Sequence, residues 1–517
     1  MPDNRFETFA YDAVGRLTNR TDYAGNATGY QYDNADRVKQ RVFVDGSVFG
    51  TTYTTSGQIA TLTQTSGSTS TVAKYTYDAL DRLTDIQNPD GSKLHYAYDA
   101  ASQKTNLALT MPDGQTQNTT YTYDVAGNLS SVTTDGKTFA YKYDADNRKT
   151  ERNDPNGNIT KYTYDLNGRL TGWITTQGGA ANAPIQQQGS YTLNAAGQRI
   201  ALAYQAPDGL MRNLAYTYDG AGRLIGETRS LPGHSTTWVL DAVGNRTSQT
   251  QDGQTNSYSH DATDRLTGVS GAAPATYTWD TNGQLQSKTV GSGASTKTTT
   301  YSFDARHELI GVVLQDGTKI DYRYTADGNL ATRAKTSPGQ APQTTHYLID
   351  PNLSFAQVVA EYDDQGHATS SYTYGDELLQ RSRSGQSTYY HHDGLGSVIA
   401  LSDDSGGAIQ AYGYDAWGNP VESAGVDTNP YRYTGERYDQ DTGLIYLRAR
   451  WYDPTTGRFV SPDEANGQLR RPISLNRSNW TVLVGGNQCG RGNTRNLNQH
   501  REGSDFRIRA EHHLRRR

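Results

Sequence analysis

One short phrase, Tyr-x-Tyr-Asp followed by a tight turn, recurs along most of this chain and limits what it can fold into. "YDAVGRLT" begins at Tyr11 and returns as "YDNADRVK" at Tyr32, "YDALDRLT" at Tyr77, "YDLNGRLT" at Tyr164, "YDGAGRLI" at Tyr218 and "HDATDRLT" at His260. Degraded copies fill the gaps at a spacing of roughly 20 to 29 residues, the range of repeat architectures. Side chains reverse direction at each residue of a strand, so Tyr-x-Tyr puts both rings on one face. A single hairpin of this kind is marginal alone, and the copies are expected to pair side by side into one long sheet.

The Asp that follows opens a turn, because its carboxylate can accept backbone N–H bonds. The position three residues later is predicted to need positive φ. It holds Gly at 15, 127, 168, 197, 222, 244, 283, 328 and 418, and elsewhere Asp36, Asp81, Asn147, Asp264, His307 or Ser102. Asn, Asp and His are the non-glycine residues that best tolerate the left-handed region, so Ser102 alone fits poorly. The paired turn positions singled out are Asp12 and Gly15, Asp78 and Asp81, Asp124 and Gly127, Asp144 and Asn147, Asp165 and Gly168, and Asp219 and Gly222. A polar residue, often Arg, comes next, and then usually Leu (Leu17, Leu83, Leu129, Leu170, Leu224, Leu266), which restarts a strand. Midway through many copies stands a second turn: "PDGS" at Pro89, "PDGQ" at Pro112, "TDGK" at Thr134 and "QDGT" at Gln315. Asp-Gly between alternating segments is a strong hairpin signal.

Composition agrees with an all-β chain. Tyr reaches 37 and Gly 53, against 9 Phe and 3 Met, so tyrosine rather than aliphatic side chains must supply much of the core. A net charge of −6 argues against a general nucleic-acid binder, and the single Cys489 excludes an internal disulfide framework and a Cys-rich metal site. No apolar run is long enough to span a bilayer, and no charged-then-apolar leader opens the chain. Met1 lies within ten residues of "FAYDAVGRLT", already inside a repeat, so the chain reads as the distal part of something longer. Tyr and Asp are read first as packing and turn residues. The competing reading makes the Tyr and Arg rows a carbohydrate-binding surface, since tyrosine offers an apolar face with a polar tip.

From Tyr389 the texture becomes denser: "YYHHDGLGSVIALSDDSGGAIQAYGYDAWGNPVES", then "NPYRYTGERYDQDTGLIYLRARWYDPTTGRFVSPD". This stretch resembles the RHS repeat-associated core, and the upstream copies resemble the YD repeats of the same RHS/YD family, which includes bacterial Rhs proteins, C components of insecticidal toxin complexes and teneurins. The resemblance runs from Tyr11 to Asp463 and divides the chain into repeats (1–388), core (389–467) and a tail (468–517). It implies repeat strands wound into a hollow shell or part of one, closed by the core as a plug, around a variable C-terminal toxin that many members release by cutting their own chain.

Aspartyl self-cleavage needs two carboxylates at one scissile bond, one to activate water and one to donate a proton. By the resemblance, Arg450 in "ARWYDP" and Asp463 in "GRFVSPD" hold the places of the family's cleavage-site Arg and first Asp. The second Asp belongs to a later Asp-Pro-x-Gly-Leu element that this chain lacks, so Asp463 is half a site and no autoproteolysis is expected. His391 and His392 beside Asp393 lack a third ligand at metal-binding spacing and are read as structural. No metal or cofactor is expected, and no nucleophile elbow, phosphate loop or zinc-protease motif occurs.

The tail, "QLRRPISLNRSNWTVLVGGNQCGRGNTRNLNQHREGSDFRIRAEHHLRRR", contains neither Tyr nor Lys. Its readings are a frameshifted or truncated core ending, a toxin remnant, or a basic nucleic-acid-binding arm, and disorder is expected in it. The expected role is a structural shell segment of a secreted or cell-surface toxin protein. Its expected partners are its own C-terminal toxin segment or an upstream part of a longer chain, with surface glycans and secretion-system components as further candidates. Nucleic acid is expected only through the tail.

Overall fold

In the computed structural model, which describes residues 6–180 and 182–462, the chain is all-β. One sheet of 38 strands runs from Thr8–Tyr11 to Pro420–Gly425, and each strand pairs antiparallel with the next in sequence. A second sheet contains four short strands, Arg437–Tyr438, Ile445–Tyr446, Trp451–Asp453 and Arg458–Phe459.

The repeat turn has one geometry throughout. At Asp124 the N–H of Gly127 donates to the Asp124 carbonyl, the Asp124 N–H donates to the Asn128 carbonyl, and Gly127 takes φ 86°. Across this turn Thr122 pairs with Ser131 while Tyr123 pairs with Leu129, which leaves Ser130 as a bulge. That combination is a type I turn closed by a left-handed residue and a bulge. Asn147 (φ 60°), Asp81 (φ 58°) and Ser102 (φ 64°) occupy the same conformation as the glycines, so the misfit Ser102 obeys the pattern. The opposite edge uses two solutions. Asp135-Gly136 is a two-residue turn with both residues left-handed. At Gly91, Gly114 and Gly317 the Asp-Gly pair instead closes a three-residue loop of the repeat-turn kind, in which the glycine is left-handed.

Bulges raise local twist, and a long twisted sheet curls. After about 250 residues the ribbon meets itself. Tyr96 donates to Asp350 at 2.6 Å across 254 positions, and Asn158 donates to Ser402 at 3.2 Å across 244. Burial records the overlap. The strand Thr116–Tyr123 alternates between exposed positions and half-buried or buried ones, as a sheet with one wet face should, whereas all five residues of Val398–Ser402 are buried. The sheet continues through Tyr389 to Gly425 with the same turns at Asp393 and Asp415. Burial on both faces is already present in Gln357–Tyr362 and Leu378–Arg383, so it sets in before Tyr389, and the backbone pattern is unchanged across that residue. The segments flanking the four-stranded sheet are bonded to the wall: the Leu285 N–H donates to the Val460 carbonyl and the Val398 N–H to the Arg432 carbonyl. Leu444, Tyr446 and Trp451 join the same core as Leu94, Phe139, Ile320 and Tyr390.

Candidate functional site at the inner seam

The repeat residues are distributed along one edge of the sheet, where they bind one another. Asp12 Oδ1 accepts the backbone N–H groups of Val14 and Arg16, and its Oδ2 accepts Arg16 Nε at 2.7 Å. The Arg16 backbone N–H first, then its guanidinium, hold the Asp12 carboxyl below the usual range. The arrangement repeats at Asp78, Asp144, Asp165 and Asp219 with Arg82, Arg148, Arg169 and Arg223, and at Asp124 with Asn128 in the arginine's place. Gly15, Gly127, Gly168 and Gly222 close these turns with positive φ.

Sequence reasoning missed two staples between neighbouring copies. The second Tyr of the phrase donates its hydroxyl to a carbonyl one copy back: Tyr32 to Leu17, Tyr98 to Leu83, Tyr143 to Leu129 and Tyr324 to Leu309, at 2.6–2.9 Å. The residue after the left-handed position reaches forward to the next turn. Arg16 donates to Asp36, Arg82 to Ser102, Asn128 to Asn147 and Asn245 to Asp264. Non-glycine residues at the left-handed position thus accept a bond that glycine has no side chain to offer. Arg16, Arg82 and Arg148 also lie 4.9–5.3 Å above the rings of Tyr32, Tyr98 and Tyr164.

The small sheet is fastened to the wall by charge and by aromatic contacts. Arg333 and Lys335 reach Asp439 and Asp441, Arg437 pairs with Glu361, and Lys288 pairs with Asp453. Trp451 Nε1 donates to the Tyr324 hydroxyl at 2.9 Å, which links this sheet to the tyrosine staple. Between the two lies a polar cleft of about 540 Å³, lined among others by Arg333, Glu361, Tyr372, Arg381, Arg437 and Asp439. Arg450, beside Trp451, places its guanidinium 3.5 Å over the Phe459 ring. Asp463 and the tail lie outside the described residues.

A buried charge cluster joins the early strands to the late ones. Lys149 contacts Asp376 at 2.8 Å and Glu377 at 3.3 Å; Arg152 contacts Asp154 at 2.8 Å and Glu377 at 2.7 Å. Burial works against the Lys149 charge, but Asp376 and Glu377 outweigh it and raise its pKa. Burial raises the Asp154 pKa despite the opposing pull of Arg152. His391 and His392 complete the cluster: His391 Nε2 meets Ser402 Oγ at 2.8 Å, and His392 Nδ1 lies 3.6 Å from Glu377. No group of three or more His, Cys, Asp or Glu able to hold a metal ion occurs among the described residues. The sequence marked the two histidines as structural; nothing local identified Lys149, Arg152 or Glu377, which lie up to 228 positions from their partners.

A family model described as "Teneurin YD-shell" matches residues 2–152 and 198–479, and one described as "RHS Repeat" matches residues 143–181. The chain belongs to the teneurin YD-shell family. It is similar to the tRNA3(Ser)-specific nuclease WapA of Bacillus spizizenii, 40% identical over 175 residues that make up 32% of this chain and 7% of that protein. It is also similar to double-stranded DNA deaminase toxin A of Burkholderia cenocepacia, 26% identical over 320 residues, 56% of this chain and 21% of that one. The chain thus spans less than a quarter of either relative. Among solved structures, the Tc holotoxin pore of Photorhabdus luminescens matches with a TM-score of 0.62 at 18% identity, over 95% of this chain and 30% of that one. That likeness is one of fold.

Proposed function

We propose that this chain is a wall segment of an Rhs-type toxin shell, a structural element that encloses and presents a C-terminal payload. The observation that carries the proposal is the uninterrupted antiparallel sheet of 38 strands whose early and late parts meet and to which a small sheet is bonded. Two features favour a continuing wall. Among the described residues the first strand pairs only with Leu17–Thr21, and Phe9 is 48% exposed at the position where Tyr121 is 6% exposed. The names of the relatives, a nuclease and a deaminase toxin, support a payload carried beyond the matched region. Export to the cell surface or medium accompanies this role, and no helix among the described residues is long and apolar enough to cross a membrane.

The role is structural rather than catalytic on this reading. Arg450 with Asp463 supplies one Asp of the two-carboxylate cleavage site that the family resemblance implies. A single band near 56.7 kDa, unchanged by Asp463→Asn, is expected on a denaturing gel; two fragments that merge in the variant would refute it. Electron microscopy of the purified protein tests the shell: curved wall segments are expected, and straight rods or featureless particles would sink it. Carbohydrate recognition by the Tyr and Arg rows gains no support from the geometry, because the guanidinium groups rest on the tyrosine faces and bind the turn carboxylates.

A further inference from the structure

The donor and acceptor count at Ser402 demands a neutral histidine. Ser402 Oγ receives amide N–H groups from Asn156 Nδ2 at 2.9 Å and from Asn158 Nδ2 at 3.2 Å. A hydroxyl has two lone pairs and one hydrogen. With both lone pairs engaged, the hydrogen must go to the remaining neighbour, His391 Nε2, at 2.8 Å. His391 Nε2 is therefore the unprotonated nitrogen, and the ring carries its proton on Nδ1, which has no hydrogen-bond partner although the residue is only 4% exposed. An imidazolium here would turn an N–H against an oxygen already saturated with donors. Asn158 opens the early strand Asn158–Tyr164, Asn156 lies in the turn before it, and Ser402 and His391 belong to the late strands, so this bond set is part of what holds the two layers together.

The surroundings offer the charged ring little relief. The early strands present Lys149, Arg152 and Asp154, with Tyr141 and Tyr162 beside them. The late strands present Asp376, Glu377 and His392, with Asp393 next in the chain, and the neighbouring turn is fastened by Lys137 and Asp404. Glu377 could face an imidazolium at His392, but it is already held by Lys149 and Arg152, whose like charge opposes a third cation. Burial accordingly pushes His391 well below the ordinary histidine range and His392 down to about 4.

We propose that the seam between the early strands Lys149–Asn153 and Asn158–Tyr164 and the late strands Gln386–His392 and Val398–Ser402 is an acid-labile latch, held shut by neutral His391 and His392 and loosened when they gain protons. This goes beyond the wall reading and stands whether or not a payload is enclosed. The linkage has one sign: a histidine that is neutral when buried but free to protonate at an ordinary pKa of about 6.5 once exposed favours the open state as pH falls below that value. Between pH 7.5 and pH 5.0 the opening equilibrium should rise about thirty-fold for each imidazole.

Hydrogen exchange of the intact protein at pH 7.5 and 5.0, corrected for intrinsic amide rates, reads this directly. Protection of residues 149–164 and 386–402 should fall at least ten-fold at pH 5.0, while residues 17–53, which lie away from the cluster, keep theirs. Equal loss in both regions, or none, would overturn the latch. In His391→Gln, which retains an acceptor but does not titrate, the loss should shrink; an unchanged loss in that variant and in His392→Gln also overturns it. Should the variants not fold, exchange of the ring C2–H in the wild type against pH gives each histidine's midpoint. A midpoint near 6.5 for both rings would defeat the proposal.

Discussion

Removing the hydroxyl of Tyr324 separates the staple that this residue shares with other copies from the link it alone makes to the small sheet. In Tyr324→Phe the bond to the Leu309 carbonyl is lost, and a neutral bond of this kind contributes about 1 kcal/mol. The same change leaves the indole N–H of Trp451 without its acceptor, and Trp451 is 4% exposed, so its desolvation adds about 1–3 kcal/mol. The sum is about 2–4 kcal/mol. Tyr32→Phe is the internal comparison. It deletes the equivalent bond to Leu17 at a half-buried position and should cost about 1 kcal/mol or less. Urea unfolding at unchanged m-value measures both. A double-mutant cycle with Trp451→Phe should then show coupling of about 1 kcal/mol or more, because the second substitution removes the orphaned donor. Equal costs for the two tyrosines, or full additivity with Trp451→Phe, would refute the view that the Tyr324 hydroxyl ties the small sheet to the wall.

Four further outcomes follow from contacts described above. Ser102→Gly should stabilise the protein by about 0.5 kcal/mol in urea unfolding: it relieves a left-handed serine and gives up a weak 3.3 Å bond from Arg82, which keeps the Asp99 carbonyl. Asn147→Gly should gain nothing, since it discards the 2.8 Å bond from Asn128, and a clear stabilisation there would contradict the staple. Glu377→Gln leaves Lys149 and Arg152 buried with one carboxylate fewer and should cost about 3–5 kcal/mol; thermal unfolding within a degree or two of wild type would contradict it. Acid should also weaken the repeat edge. The Asp12, Asp124, Asp165 and Asp219 carboxyls are lowered by the N–H, amide and guanidinium groups they bind, so their contribution is complete above the unfolded value of about 3.9 and is lost as pH falls through the lower folded value. Circular dichroism against pH would therefore show a second loss of structure below about pH 4, beneath the histidine range.

Local signals set the backbone. Tyr-x-Tyr-Asp alternation, a residue able to turn left-handed three places after the Asp, and a second turn midway were enough to specify an all-β meander. The geometry they require is so uniform that even Ser102 conforms. Asp12, Asp78 and Asp124 each accept the backbone N–H four residues on, an arrangement that depends on neighbours in sequence alone. Alternation states that one face will be covered but not by what. The covering partner arises from twist accumulated over some 250 residues, and no window of sequence contains that sum. Hence Lys149 read as an ordinary strand lysine until Asp376 and Glu377 came down on it. His391 likewise became a ring with an obligatory protonation state only when two asparagines from the early strands saturated Ser402. The sheet passes through Tyr389 to Gly425, and strands on either side of it, Leu378–Arg383 and Val398–Ser402, carry runs of residues buried on both faces, a condition that the meeting of early and late strands imposes.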